Sequence, residues 1–314
     1  MVKGSLSPVR VLQLVVGLLL SWQVFPVAQT AMAEKGLAGG GHEGSSSQGW
    51  LGLEGAGGFG SQSAASQVGG ENAPMLCNGA KPLNVLFIGN SYTHYFDMPQ
   101  LVAGMAESAG CEVKVRMVAP GGTRLARHAE SGETLSAIGE RDWDAVVLQN
   151  FSQLPSQPVD KVRQKTFPAV EKLVSVIREN DPTTAVFFYA TWGRRDGDQQ
   201  NCKNNSMVCS FRGHTAALQR GYSLYAEEFG GTIANVGGAW SRIAADRKSP
   251  FSYKELYDRD GSHPSLKGSY LAASVFFASL FRLSPEGLSY PAGLSETSAR
   301  YIQRVAGLLP VSGA

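Results

Sequence analysis

Charge is scarce in this chain: 17% of its 314 residues are charged and the formal net charge is only +2. No block of consecutive Lys or Arg is present that could follow a phosphate backbone, which argues against nucleic acid as a partner. Cysteine is scarce as well, with four in all, and they form no Cys-x-x-Cys pair and have no His cluster beside them. That spacing gives no metal site, and nothing else in the sequence calls for a cofactor. There is no internal repeat at a period of about 20 to 50 residues, which disfavours a solenoid or propeller.

What is present begins with a leader. Lys3 and Arg10 precede the apolar run from Val11 to Leu20, and Ala31-Met-Ala33 follows. This order predicts a secretory signal peptide over residues 1–33, hence a secreted or periplasmic protein with no stable membrane insertion after cleavage. The alternative is a retained anchor, because apolar residues continue to about Val27 and approach the length of a tilted span. No Cys follows the run, so a lipid anchor is not indicated. An oxidising destination makes disulfides the expected use of Cys77, Cys111, Cys202 and Cys209, paired as Cys202 with Cys209 and Cys77 with Cys111.

Residues 34–75 are dominated by Gly, Ser, Ala and Gln, a composition that cannot bury enough apolar surface to offset ordering entropy, and are expected to be a flexible linker. From residue 76 to 314 the texture changes to one domain's worth of short apolar runs alternating with segments of helical period. Strands are expected at Asn84 to Ile88, Glu112 to Val118, Asp144 to Leu148, Thr184 to Tyr189 and Thr232 to Val236. Helices are expected at Met98 to Ala109, Val162 to Glu179, Thr215 to Phe229, Ser265 to Phe281 and Ser295 to Leu308. Runs this rich in Val, Ile, Leu and Phe are buried on both faces, so the fold class is α/β, a three-layer α/β/α sandwich around a mostly parallel five-stranded sheet.

Ligands of open parallel sheets bind beyond the carboxyl ends of the strands. Four such places carry unusual residues: Gly89-Asn90-Ser91, Pro120-Gly121-Gly122-Thr123, Gln149-Asn150-Phe151-Ser152 and, near the C-terminus, Asp260-Gly261-Ser262-His263-Pro264. A hydroxyl needs a positioned base to attack at neutral pH, and the base needs a partner on its other ring nitrogen. Ser91, His263 and Asp260 fit these catalytic roles, with the Ser91 amide, a glycine amide and the Asn150 side chain as oxyanion donors. Each element alone is a common turn sequence; their conjunction after successive buried strands is what carries the assignment.

On these residues the chain resembles the SGNH hydrolases, also called GDSL-like lipases and esterases, in a bacterial secreted branch. The resemblance runs from about Leu83 to Leu283 and rests on Ser91, Gly122, Asn150 and Asp260 with His263 in that order. Asn90 stands where the family usually has Asp, and Leu-Gln-Asn-Phe-Ser replaces its Gly-x-Asn-Asp form. The Asn90 change is expected to be harmless, its side chain serving the turn through local hydrogen bonds. Gly122 is preferred over Gly121 as the amide donor. The other hydrolase elbow, Gly-x-Ser-x-Gly, is absent, since Thr93 occupies its second Gly position.

The resemblance implies a secreted serine esterase working through an acyl-enzyme, with a small-molecule or polysaccharide ester as substrate and a carbohydrate O-acetyl ester as the leading expectation. Competing readings are a lipase or thioesterase, a polysaccharide O-acyltransferase using the same triad, and a binding domain without catalysis. Trp192 and Arg194, after the fourth strand, are expected on the rim, the indole stacking on a sugar or walling an acyl pocket and the guanidinium holding an anionic group. The competing view has Trp192 packing the loop and Arg194 paired with Asp196. His94 is a rival base disfavoured by its closeness to Ser91; His128 and His214 are read as packing or surface residues, and His42 lies in the linker. Asn204-Asn205-Ser206 matches a bare glycosylation pattern of little weight in a bacterium. Oligomeric state is left open.

Overall fold

The computed structural model describes residues 81–309. The expected signal peptide and linker, and Cys77, lie outside those residues. Within them five strands form a single sheet: β1 (Leu83–Ile88), β2 (Val113–Val118), β3 (Ala145–Leu148), β4 (Ala185–Tyr189) and β5 (Thr232–Ala234). All neighbours are parallel, in the order β2-β1-β3-β4-β5. The order reverses between β1 and β3, so the crevice of this sheet opens where those two strands end.

Nine α-helices connect and cover the strands among the described residues: α1 (Ser91–His94), α2 (Met98–Ser108), α3 (Leu125–His128), α4 (Gly132–Ile138), α5 (Val159–Asn180), α6 (Phe211–Phe229), α7 (Val236–Ala245), α8 (Leu266–Phe281) and α9 (Glu296–Gly307). Side chains alternate across each strand, so one strand feeds both layers. Val85, Phe87, Val147, Phe187 and Tyr189 pack with α2, α7, α8 and α9 on one face. Leu86, Ile88, Val146, Leu148 and Phe188 pack with α3, α4, α5 and α6 on the other. Helix α8 is buried along almost its whole length, so it is apolar nearly all round rather than striped.

The expected strands and helices are all found. β5 stops earlier than expected, at Ala234, and four further helices lie outside the expected ones: the short α1, α3 and α4, and the longer α7. Asn235 ends the strand: its side chain accepts from the Gly238 amide and caps a helix containing Gly237 and Gly238. Those glycines weaken the local helix signal, and burial of Val236, Ala239, Trp240 and Ile243 compensates for it. Among the described residues no helix is long and apolar enough to cross a membrane.

Candidate active site

Ser91 is the first residue of α1, immediately beyond β1 and therefore at the crevice. Its turn is held by buried side chains from elsewhere. Gln149 Oε1 accepts from the Asn90 amide at 2.8 Å and from Thr93 Oγ1 at 3.0 Å. His128, 1% exposed, places Nε2 2.7 Å from the Gly89 carbonyl and Nδ1 2.8 Å from Thr134 Oγ1. The carbonyl can only accept, so the proton sits on Nε2 and Thr134 donates to Nδ1. Burial pushes the His128 pKa down, favouring this neutral form. A Cβ on Gly89 would stand 2.6 Å from Gln149 Oε1 and 2.3 Å from Thr93 Oγ1, so only glycine permits the clasp.

Asn90 does more than serve its own turn. Its Oδ1 accepts from the Tyr92 amide at 3.1 Å, while Nδ2 donates to the Thr123 carbonyl at 2.9 Å and ties the nucleophile turn to the glycine loop. The expected local hydrogen bond is present, and the bond to Thr123 adds a long-range one. A carboxylate at this position could not make the second bond.

His263 stands on the turn preceding α8. His263 Nε2 lies 2.9 Å from Ser91 Oγ, and His263 Nδ1 lies 2.5 Å from Asp260 Oδ2. Asp260 Oδ1 accepts from the amides of Ser262 and His263 at 2.8 and 2.9 Å. Burial alone would raise the Asp260 pKa; these bonds, from the imidazole first and then the two amides, outweigh it and hold the carboxyl below its usual range. The Tyr95 ring stacks on the imidazole with centroids 4.5 Å apart, and the Tyr92 hydroxyl meets Ser262 Oγ at 2.7 Å. His94, the rival base, instead places Nδ1 2.8 Å from the Ala119 carbonyl.

The glycine loop is a tight turn closed by the Thr123 amide on the Pro120 carbonyl. Gly122 takes φ 68° there, a left-handed conformation that disfavours any other residue. Gly121 and Gly122 are both exposed at the crevice. The Ser91 amide, at the start of a helix, has no intrahelical partner. Asn150 is only 1% exposed. Its Oδ1 accepts from the amides of Leu125 and Phe151 and its Nδ2 donates to the Tyr225 hydroxyl at 3.1 Å, leaving one amide proton unassigned.

Trp192 is not on the rim. It is 0% exposed, stacked between Tyr92 at 4.7 Å and Trp240 at 3.9 Å, and its Nε1 donates to the Ser262 carbonyl at 3.1 Å. An indole walled on both faces has none to offer a sugar; it is a plank joining the nucleophile helix to the base turn. Arg194 is half-buried, with Nε enclosed and lacking a hydrogen-bond partner. The pairing with Asp196 is made by Arg195, at 3.1 Å, whose amide also donates to the Gly261 carbonyl. His214 is wholly buried and its Nδ1 accepts from the Arg194 amide, burial lowering its pKa to about 4.

Cys202 and Cys209 are bridged. Cys111 is also disulfide-bonded, while the pairing expected with Cys77 lies outside the described residues. Among the described residues no group of His, Cys, Asp and Glu is arranged to hold a metal ion. The long-range contributions of Gln149, Tyr95 and Trp240, and the bond from Asn90 to Thr123, have no local sequence signature, because each acts on a partner distant in the chain.

No family model and no curated protein matches the sequence. Among solved structures, the chain is similar to a DUF4886 family protein from Bacteroides uniformis, with 20% identity, a TM-score of 0.60 and coverage of 72% of this chain and 94% of that one. It is also similar to a candidate SGNH hydrolase from Slackia heliotrinireducens, at 29% identity and TM-score 0.49, covering 63% and 98% of the two chains. A candidate GDSL-like lipase from Parabacteroides merdae follows at 16% identity and TM-score 0.44, covering 66% and 99%. Of these three, the first establishes a shared fold and no more.

Proposed function

We propose that this chain is a serine ester hydrolase of the SGNH type, secreted or periplasmic, acting on a carbohydrate O-acetyl ester. The observation that carries the reading is the unbroken hydrogen-bonded relay from Ser91 Oγ through His263 to Asp260. Ser91 Oγ attacks the ester carbonyl while His263 Nε2 takes its proton, and Asp260 holds the ring in the tautomer that leaves Nε2 free to accept. The tetrahedral oxyanion is received by the amides of Ser91 and Gly122, with the remaining Asn150 amide proton as third donor. His263 then returns the proton to the departing sugar hydroxyl, and water attacks the acyl-enzyme by the same route in reverse.

Support for an extracellular setting comes from the Cys202–Cys209 bridge, since such bonds persist in oxidising compartments. Ser91 and His263 are only half-buried at the sheet edge, which gives a polymer access to them. The test is acetate release from p-nitrophenyl acetate and from acetylated polysaccharides by the protein and by Ser91→Ala. Loss of at least about a thousandfold in kcat is expected for the variant, given the usual effect of removing a triad nucleophile. Equal rates for the two proteins would remove Ser91 from the mechanism.

A further inference from the structure

A cavity lies beyond the carboxyl ends of the strands, between the loop after β3 and the loop after β4. It has a volume of about 330 Å³ and is lined by Gln153, Gln157, Asn201, Asn204 and Asn205 together with Lys161 and Lys165 of α5, with no acidic residue among its lining. That volume sits at the small-ligand end of binding pockets, which span about 300 to 1,000 Å³. Its walls are braced. The Cys202–Cys209 bridge staples one loop, Asn205 Nδ2 donates to the Ser156 carbonyl of the other, and buried Asp198 receives Gln153 Nε2 at 2.8 Å and Asn201 Nδ2 at 2.7 Å.

The lysines are placed at a cost to the free protein. Lys161 and Lys165 stand four residues apart on one face of α5, where like charges repel, and Lys161 is in the first turn, where the helix dipole disfavours a cation. Asp160 shares that turn but does not line the cavity, and neither lysine forms an ion pair among the described residues. The carboxylate of Asp198 is taken up by its two carboxamide donors. Positive charge is therefore left without a counter-ion beside five carboxamides, a side-chain type that donates to and accepts from sugar hydroxyls alike. The wall begins at Gln153, three residues after Asn150, so it lies at most about 10 Å along the chain from the oxyanion side of the site.

We propose that this cavity is a subsite for a carboxylate-bearing sugar of the ester substrate, which makes the polymer an acidic polysaccharide. The proposal rests on the esterase reading above for its link to turnover, but binding can be read without it. The carboxylate meets Lys161 and Lys165, and the ring hydroxyls meet the carboxamides of Gln157, Asn201 and Asn204.

Direct binding of unesterified trigalacturonate to the full chain, by calorimetry and saturation-transfer NMR, tests this with a probe that cannot be turned over. The acidic trisaccharide is expected to bind, to weaken as salt is raised, and to lose about tenfold in affinity in Lys161→Gln/Lys165→Gln, as befits two exposed charge contacts. Neutral xylotriose is expected not to bind. No binding of the acidic probe, equal binding of the neutral one, or unchanged affinity in a double variant whose melting temperature matches the parent would overturn the proposal. So would complete displacement by an equal concentration of inorganic sulfate, which would reduce the cavity to an anion site. If the protein releases no acetate from p-nitrophenyl acetate or from any acetylated polysaccharide, the esterase reading fails while the binding result stands.

Discussion

The two turns that meet at the Ser91–His263 hydrogen bond are built on opposite principles. The nucleophile turn continues a central strand into the interior, and its polar groups are clasped by Gln149, His128 and Asn90, each at most 2% exposed. The base turn is superficial, with the Asp260 side chain 47% exposed, and holds itself: Asp260 accepts two amides of its own turn and the Asp258 amide donates to the His263 carbonyl. Besides the bond to Ser91 and the Tyr95 ring stacked on the imidazole, its links to the rest of the site are three hydrogen bonds: Tyr92 to Ser262, Trp192 to the Ser262 carbonyl and the Arg195 amide to the Gly261 carbonyl. Ser91 is thus fixed by long-range burial, and His263 by a short local motif leaning on one loop.

The sharpest way to break the local half is Asp260→Asn. The amide retains an oxygen for the backbone of Ser262 and His263, so the turn should persist, but it presents an NH2 to Nδ1 and favours the tautomer that cannot accept from Ser91. We expect kcat to fall by about 10⁴-fold, as when a triad carboxylate is neutralised, with the melting temperature little changed. Parallel losses of activity and stability would mean that Asp260 is mainly a structural residue.

Both turns also depend on a buried neutral histidine, and acid should expose the dependence. His128 holds the Gly89 carbonyl on one side; His214 accepts the Arg194 amide on the other and so supports the loop that braces the base turn. With a folded pKa of about 4 against about 6.5 when unfolded, His214 binds its proton more readily in the unfolded chain. Stability from this residue is therefore complete above pH 6.5 and is lost as pH falls toward 4, by about 3 kcal/mol when fully expressed. His128, also lowered by burial, acts in the same direction. Urea unfolding across this window should show the slope, and His214→Gln, which keeps an acceptor without titrating, should flatten it. An unchanged slope in the variant would assign the acid sensitivity elsewhere.

This contrast also decides what the sequence could reveal. The inner strands β1, β3 and β4 were legible as apolar runs largely buried on both faces, and the outer β2 and β5 as β-branched runs that the structure leaves only partly buried. Ser91 was legible as a polar residue directly after such a run, and Asp260 with His263 as a carboxylate and an imidazole three residues apart. α7 was not legible: Gly237 and Gly238 mask its period, and the cap at Asn235 falls within an apparent strand. Trp192 was open to two readings, binding at the rim or packing the loop, and the structure agrees with packing, because its burial depends on Trp240 and Tyr92, far away in the chain. Gln149 stood out only as part of an unusual segment after a strand; its role could not be read, because its two donors lie on the turn after another strand.

A smaller perturbation targets the long-range half. Asn90→Asp keeps the cap on Tyr92 but loses the donor to the Thr123 carbonyl and sets a buried charge against it. Loss of one buried hydrogen bond, about 1–3 kcal/mol, should displace the Gly122 amide from the oxyanion and lower kcat by about ten- to a hundredfold while KM changes little. A KM effect alone would place Asn90 in substrate binding rather than in alignment of the two loops.

The mildest test asks whether the two halves are coupled through the plank between them. Trp192→Phe preserves an aromatic ring between Tyr92 and Trp240 but removes the Nε1 donor to the Ser262 carbonyl, a neutral hydrogen bond worth about 1 kcal/mol. As support, the residue should show a small fall in melting temperature and a kcat lowered severalfold, with KM unmoved, because the ring has no free face for a ligand. A rim residue would behave in the opposite way, raising KM and sparing stability. The distinction survives even if Trp192→Ala proves too unstable to study, since that truncation opens a cavity costing about 3–5 kcal/mol whatever the indole does for the base turn.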